Sequence, residues 1–321
     1  MLKVDPARLG EFLCLIDVNA RLAEYCLILE LWLDRFAVCA LDVDVVQSQI
    51  IRRLPRVRKL ILNSAVTTLR NKNGAVQTFT RSRTGLPLDE TLSAMRAATW
   101  ITELVLAPCY DQHWTRQVFN VFSLHIIHLT LSIQEPDSIL LTKFPKCPQL
   151  RYIELPYPVL RDAADILLVI CRSPNLHHLS ISHLKVDTWS PDLNKPRSPI
   201  SHEPLDTLNL SYIHDANFLR TLISSIPTRS LTILFGSENH ALDLRNISYA
   251  LFTDSTMIVR KSKHLKVLCL ERSVRKVERS TIEERNVALE TLRENCVKSN
   301  IELKYNFPVS CSVCLARRKA N

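Results

Sequence analysis

The feature that most constrains this chain is a recurring apolar pattern of one apolar residue, two variable, one apolar, one variable and one apolar. The clear copies occupy residues 57–62, 101–106, 126–131, 150–155, 176–181, 205–210 and 265–270, and the weaker copies occupy 26–31 and 231–236. In the middle of the chain, successive copies begin 24 to 29 residues apart. Because the last two apolar positions are separated by one residue, they face the same side of a β-strand. The pattern therefore predicts a short strand at each copy.

Segments with helical spacing of apolar residues separate most of the copies. In residues 42–54, for example, Val45, Val46, Ile50 and Ile51 share one helical face. Further helices are predicted at residues 89–98, 136–144, 163–171, 215–226 and 281–300. A strand and a helix at this period are the pattern of leucine-rich repeats, which bury their apolar faces by stacking. The sequence predicts an α/β leucine-rich-repeat solenoid, a horseshoe with irregular repeats, parallel strands on the concave side and helices outside.

The predicted organisation has three parts. Residues 1–25 are expected to form an N-terminal capping helix, and residues 26–306 the irregular repeat array. Two insertions interrupt the array, at 63–99 and at 185–204, and the second is rich in proline and serine. A closing helix and a last short strand end the array, and residues 307–321 form a basic tail that we expect to be disordered. The apolar members of that closing helix are Ile282, Val287, Leu289, Leu292 and Cys296.

The variable positions inside the repeated pattern are candidates for recognition. His128 and His178 occupy the same repeat position, directly before the central apolar residue. On a strand that position faces away from the core, so these side chains are expected on the concave surface. The equivalent candidates are Lys59, Glu103, His128, Thr130, Tyr152, Glu154, His178, Ser180, Thr207, Asn209 and Phe235. A mixture of aromatic residues and both charge signs is typical of protein-binding faces, which favours a protein ligand there.

The charge of the chain supports an alternative function. Lysine and arginine number 41 against 32 aspartate and glutamate residues, a net charge of +9, and residues 51–83 are strongly basic. A basic segment of this kind could bind nucleic acid or another polyanion instead. Salt separates the two hypotheses, because binding led by phosphate contacts weakens steeply with ionic strength.

Several chemistries lack their motifs in this sequence. The four glycines are far apart, so no phosphate-binding or dinucleotide-binding glycine loop is present. No nucleophile with a base or pair of carboxylates can be assigned, and Cys311 with Cys314 lacks the second cysteine pair of a zinc site. We therefore predict a non-catalytic protein without a cofactor or metal.

No apolar run approaches the ~20 residues that cross a bilayer, and no secretory signal is recognisable. The sequence predicts a cytoplasmic or nuclear protein with no membrane association and with reduced cysteines. Cys14, Cys26, Cys39, Cys171 and Cys269 lie in apolar runs and are expected to be small core residues.

The first part of the chain resembles a known family. Asn19, Leu22, Ala23 and Tyr25 are followed by a leucine-proline step at 54–55 and a strand with apolar residues at 57, 60 and 62. This arrangement is similar to the start of the repeat region in fungal F-box/leucine-rich-repeat-like proteins, and the segment from 292 to 305 resembles the last helix and strand of that family.

The resemblance implies a role as a substrate receptor in ubiquitination. In that family an F-box, a helical module that docks a cullin-type ubiquitin ligase, precedes the repeats. No such module is recognisable before the first repeat helix of this sequence, so the resemblance implies a binding scaffold. A cullin-type ligase is an expected partner only if an F-box precedes this chain.

Overall fold

The computed structural model describes most of the predicted strands and helices. The described residues are 2–4, 8–33, 40–64, 68–70, 76–78, 89–106, 112–132, 143–156, 158–160, 163–183, 185–186, 203–212, 222–223, 225–235, 240–252, 264–272 and 281–306. The chain divides into two compact units, Met1–Glu203 and Pro204–Asn321. The sequence predicted one array over 26–306, whereas the structure has a division at the end of the predicted insertion 185–204.

The first unit is built on parallel strands. Its strands are β1 (Leu2–Val4), β2 (Ile28–Leu33), β3 (Lys59–Ser64), β4 (Thr68–Arg70), β5 (Val76–Thr78), β6 (Glu103–Leu106), β7 (His128–Leu131), β8 (Tyr152–Pro156), β9 (Val159–Leu160), β10 (His178–Ser182) and β11 (Lys185–Val186). Strands β1, β2, β3, β6, β7, β8 and β10 pair in this order, and each pair is parallel. Each predicted copy in this unit coincides with one of these parallel strands, which confirms the strand prediction there. The antiparallel hairpin of β4 and β5, which lies within insertion 63–99, was not predicted.

Register aligns the leucine positions across these strands. One row of aligned, fully buried residues consists of Leu29, Leu60, Leu104, Leu129, Ile153 and Leu179. A second buried row lies two residues further along each strand and consists of Leu31, Leu62, Leu106, Leu131, Leu155 and Ile181. Side chains alternate on a strand, so every second residue turns towards this common apolar interior.

Strands β3, β6, β7, β8 and β10 each begin with the same backbone arrangement. The carbonyl of Leu27 accepts hydrogen bonds from the N–H groups of both Arg58 and Lys59, at 2.8 and 3.2 Å. The carbonyls of Arg58, Thr102, Ile127 and Arg151 each accept the same pair of bonds from the next strand. This repetition satisfies the backbone groups at the strand entries, and it keeps the successive strands in one register.

The helices of the first unit lie between the strands in the sequence. They are α1 (Leu9–Val18), α2 (Ala20–Tyr25), α3 (Ala40–Arg53), α4 (Asp89–Ala97), α5 (Gln112–Phe122) and α6 (Ala163–Arg172). The helices predicted at 42–54, 89–98 and 163–171 are thereby confirmed. The prediction of one capping helix over 1–25 was wrong, because this segment holds β1 and two helices. β1 extends the sheet, with Leu2 and Val4 in register with the buried Leu29 and Leu31.

The buried face of α3 differs from the predicted one. Ile50 and Ile51 are buried, but Val45 is 44% exposed. Asp44 is buried instead, and its carboxylate accepts hydrogen bonds from the N–H groups of Glu90 and Thr91, at 3.1 and 2.8 Å. These are donors in the first turn of α4 that have no partner within their own helix. The carboxylate of α3 thus caps α4, which apolar spacing does not predict.

The second unit also consists of parallel strands with helices. Its elements are β12 (Leu205–Ser211), β13 (Thr228–Phe235), α7 (His240–Phe252), β14 (Val267–Arg272), α8 (Ile282–Lys298) and β15 (Glu302–Asn306). The four strands pair in sequence order, all parallel. Leu208, Leu231 and Leu268 are aligned in this register and fully buried. The predicted closing helix and last strand are confirmed as α8 and β15.

Helix α8 begins with a capping box. The Oγ1 atom of Thr281 accepts a hydrogen bond from the N–H of Glu284, and the Glu284 carboxylate accepts one from the N–H of Thr281, both at 3.1 Å. Its buried face holds Leu292 and Cys296 as predicted. Val287, predicted to be inside, is 64% exposed.

Other predictions fall outside the part of the chain that the structure describes. These are most of the predicted helices at 136–144 and 215–226, residues 187–202 of the second insertion, and the tail 307–321 with its two cysteines. Among the predicted core cysteines, Cys26 is buried, whereas Cys14 and Cys171 are exposed and that prediction was wrong for them. No helix in the described ranges is long and apolar enough to cross a membrane.

Candidate functional site

The outward positions of the first unit form two aligned rows. We call the first the outer row, and it consists of Lys59, Glu103, His128, Tyr152 and His178. The second outer row lies two residues further along and consists of Ile61, Val105, Thr130, Glu154 and Ser180. All eight candidate residues predicted in this unit therefore lie side by side on neighbouring strands. Parallel pairing without any register shift is what brings them together.

Three aromatic rings stack along the outer row. The ring centroids of His128 and Tyr152 are 4.1 Å apart with planes at 17°, and those of Tyr152 and His178 are 4.4 Å apart with planes at 6°. We call these three residues the ring stack. Neighbouring strands lie about 4.8 Å apart, which is close to the separation that stacked rings prefer. The strand spacing therefore arranges the rings face to face, and 38% of the Tyr152 surface is exposed.

Polar contacts extend the two rows on either side of the ring stack. Lys59 Nζ lies 3.6 Å from Glu103 Oε2, and both side chains are slightly more than one third exposed. In the second outer row, Thr130 Oγ1 donates a hydrogen bond to Glu154 Oε2 at 3.3 Å. Solvent screens an exposed ion pair of this kind, so it contributes little to stability. These groups are thus available for contacts with a ligand.

The outward positions of the second unit are different. Thr207 is aligned there with Ser230 and Val267, and Asn209 is aligned with Thr232 and Cys269. No aromatic residue occupies these aligned positions of β12, β13 and β14. Burial and the nearby Glu271 raise the pKa of the Cys269 thiol, and Lys304 partly offsets this. Thr207 and Asn209 hold the outward positions that the sequence predicted.

The prediction for Phe235 stays a prediction, because its side chain lies outside the described part of the structure. Register aligns Leu231 and Ile233 with the inward Leu208 and Leu210. The copy assigned to residues 231–236 is therefore out of phase with the strand, whose inward residues begin earlier. Ser230 and Thr232 hold the outward positions instead, and a copy beginning at residue 228 would have found them.

The basic segment 51–83 is partly neutralised by acidic residues. Arg52 contacts Glu90, with 3.3 Å between Nη2 and Oε2, and Arg53 forms an ion pair with Asp17. Lys59, in the same segment, contacts Glu103. The side chains of Arg70, Lys72, Arg81 and Arg83 lie outside the described part of the structure. The binding of polyanions by this segment stays a prediction.

The two thiols with the largest pKa shifts lie in the apolar interior. Burial raises the pKa of the Cys147 thiol to about 12 and that of Cys296 to about 11. Burial also lowers the pKa of His125, whose Nε2 atom is buried without a hydrogen-bond partner among the described residues. A raised pKa keeps a thiol protonated, which is the opposite of nucleophile activation. Within the described ranges, no cluster of histidine, cysteine, aspartate and glutamate could hold a metal ion.

Comparison with known proteins adds no identity to this geometry. No protein-family model matches the chain. A search of curated proteins likewise finds no significant match. The resemblance to F-box/leucine-rich-repeat-like proteins stays a prediction.

Proposed function

We propose that this chain is a non-catalytic leucine-rich-repeat scaffold that binds a protein partner on the outward face of β3, β6, β7, β8 and β10. The observation that carries the proposal is the ring stack on the outer row. Exposed aromatic residues leave apolar surface in contact with water, which is unfavourable. Aromatic residues are also enriched in the central part of protein interfaces. A tyrosine at the middle of a prearranged aromatic row has the properties of a binding hot spot.

The repeat type belongs to the same proposal. The apolar pattern, its spacing of 24 to 29 residues and the repeated hydrogen bonds at the strand entries support leucine-rich repeats. In such repeats the inward leucines stabilise the fold, so the outward positions are free to vary with the ligand. The partner's role follows from the resemblance: we propose recognition of a substrate for ubiquitination, with a cullin-type ligase as partner only if an F-box precedes this chain.

The test is site-specific photo-crosslinking in extracts of the organism that encodes the chain. A benzophenone amino acid replaces Tyr152 in one sample and Tyr25 in the control, since Tyr25 is 79% exposed and lies on α2, which contributes no residue to the outer rows. The crosslinked protein is identified by mass spectrometry, purified and titrated calorimetrically against the wild-type chain. We expect a crosslink from position 152 that the control position does not form.

Substitutions then measure what the ring stack contributes to the binding. We expect Tyr152→Ala to weaken the affinity about tenfold or more, and Tyr25→Ala to leave it unchanged. Circular dichroism and thermal unfolding show whether both variants remain folded. A partner that binds the Tyr152→Ala variant as tightly as the wild type contradicts the proposal.

A further inference from the structure

The outward positions around the ring stack are acidic, although the chain as a whole carries a net charge of +9. On β6, β7, β8 and β10 these positions are Glu103, Val105, His128, Thr130, Tyr152, Glu154, Pro156, His178, Ser180 and Ser182. They include two carboxylates, and neither lysine nor arginine is among them. The only lysine of the outer row, Lys59, lies on β3 at the far side of Glu103.

The two carboxylates lie on different sides of the rings. Register places Glu103 next to His128 on the neighbouring strand, at one end of the ring stack. Glu154 lies on the same strand as Tyr152, two residues further along, so its side chain points to the same side. A group bound over Thr130 would therefore lie between the two carboxylates and beside the rings of His128 and Tyr152.

Stacking also determines which parts of the rings a ligand can reach. Each face of the Tyr152 ring is covered by an imidazole, at 4.1 and 4.4 Å between centroids. The part of Tyr152 that a ligand can reach is therefore the edge of its ring. Such a surface offers hydrogen bonds and apolar contact together, beside two negative charges.

Because it is planar, cationic and weakly hydrated, a guanidinium group matches this combination best. Arginine donates paired hydrogen bonds to carboxylates from a weakly hydrated planar group that can pack beside the apolar ring edge, whereas lysine offers a more strongly hydrated point charge. We propose that the partner presents a basic segment whose arginine, or less favourably lysine, lies between Glu103 and Glu154 against the ring stack. This inference rests on the proposed function, since it names the chemistry of the partner at the same surface.

The contact between Lys59 and Glu103 does not block this site. At 3.6 Å between exposed groups the pair is weak, so an arriving guanidinium can share or replace the lysine. Among the described residues, Thr130 occupies one of the Glu154 oxygens, at 3.3 Å. Both carboxylates thus retain acceptor positions for a ligand.

The experiment is a selection from a random twelve-residue peptide library displayed on phage, with the full chain as the target. Peptides that bind the Tyr152→Ala variant are removed first, so the remaining ones depend on the ring stack. We expect those peptides to be enriched in arginine. The affinity of one selected peptide is then measured, together with a copy in which citrulline replaces each arginine.

Glutamate substitutions identify the acceptors for the bound cation. We expect Glu154→Gln and Glu103→Gln each to weaken the selected peptide about fivefold, equivalent to about 1 kcal/mol. Glu294→Gln is the matched control, because Glu294 is an exposed carboxylate on α8, and it should have no effect. The citrulline peptide should bind the wild-type chain no more tightly than the selected arginine peptide binds the Glu154→Gln variant. Its affinity should be the same for the wild-type chain and for that variant.

The remaining outcomes separate this inference from the proposed function. Peptides that need Tyr152 but contain no basic residue, or that ignore both glutamate substitutions, overturn the basic partner and leave the binding surface in place. A selection without any Tyr152-dependent peptide overturns the basic-segment inference, while the crosslinking experiment still tests the surface independently. Self-association of the chain that Tyr152→Ala abolishes, seen by analytical ultracentrifugation, identifies a second copy as the occupant and also overturns it.

Discussion

The two units have the same kind of interior and different outward surfaces. In both, leucines at alternate strand positions are aligned and fully buried, as with Leu129 in the first unit and Leu208 in the second. Outward positions of both units carry an exposed ion pair, Lys59 with Glu103 in the first and Lys304 with Glu302 in the second, whereas among the described residues only the first unit carries the ring stack. The interior therefore requires a large aliphatic residue at each inward strand position, whereas the residues at the outward positions can differ between the units. We therefore expect the binding function at the outward positions in which the two units differ.

The largest effect is expected from matched truncations of the two interiors. Leu129→Ala and Leu208→Ala should each lower the free energy of unfolding by about 3 kcal/mol, because each leaves a cavity in a close-packed interior. Urea titration followed by circular dichroism measures both. Leu124→Ala provides the control, since Leu124 is 68% exposed and should lose no more than about 0.5 kcal/mol. A cost below about 1 kcal/mol at Leu208 would show that the second interior is not packed like the first.

Thiol reactivity tests whether both interiors are equally closed. At about pH 8, Cys147 and Cys296 should react with iodoacetamide ~10-fold or more slowly than the exposed Cys14 and Cys171. Burial covers these thiols and raises their pKa values to about 12 and about 11, so that little thiolate forms below those values. Mass spectrometry of the alkylated peptides reports each rate separately. In urea the four alkylation rates should converge. Fast labelling of Cys296 in the native state, with Cys147 still slow, would show that the interior of the second unit is less closed than that of the first.

A smaller effect is expected from the ring stack itself. A double-mutant cycle with His128→Ala and Tyr152→Ala should give a coupling of about 1 kcal/mol in the free energy of unfolding, because stacked rings attract each other. The corresponding cycle in the second unit, with Thr207→Ala and Ser230→Ala, should give a coupling near zero. Both are measured by urea unfolding. Equal couplings in the two cycles would mean that the stack is not a special contact of the first unit.

The smallest effect is expected from the exposed ion pairs, which both units possess. Lys59→Met removes the contact with Glu103, and Lys304→Met removes that with Glu302, where Nζ and Oε2 are 3.4 Å apart. Each should cost less than about 1 kcal/mol, and the cost should diminish at ~0.5 M salt, which screens exposed charges. Thermal unfolding at low and high salt measures this. A larger cost at Lys59 that persists in high salt would indicate a structural role for the outer row.

Apolar spacing predicts elements well but the buried face of a helix less well. Val45 and Val287 fit helical apolar stripes and are nevertheless exposed, at 44% and 64%. In α3 the buried Asp44 is stabilised by donors from α4, a contact between residues 46 and 47 positions apart that no local pattern contains. Strand β1 was missed for a similar reason: three residues carry no period, and only pairing with β2 makes them a strand.

The repeated apolar pattern predicts the strands that carry a copy of it and which of their residues turn inward, because alternation along a strand is a local property. The copy at residues 231–236 was placed out of phase with its strand, because two overlapping apolar patterns were possible there. The stacking of His128, Tyr152 and His178, with carboxylates beside the rings, is a property of the folded chain that no local pattern predicts. The reason is physical: ring contact depends on the register between strands that are distant in sequence and on the side-chain rotamers that neighbouring strands allow.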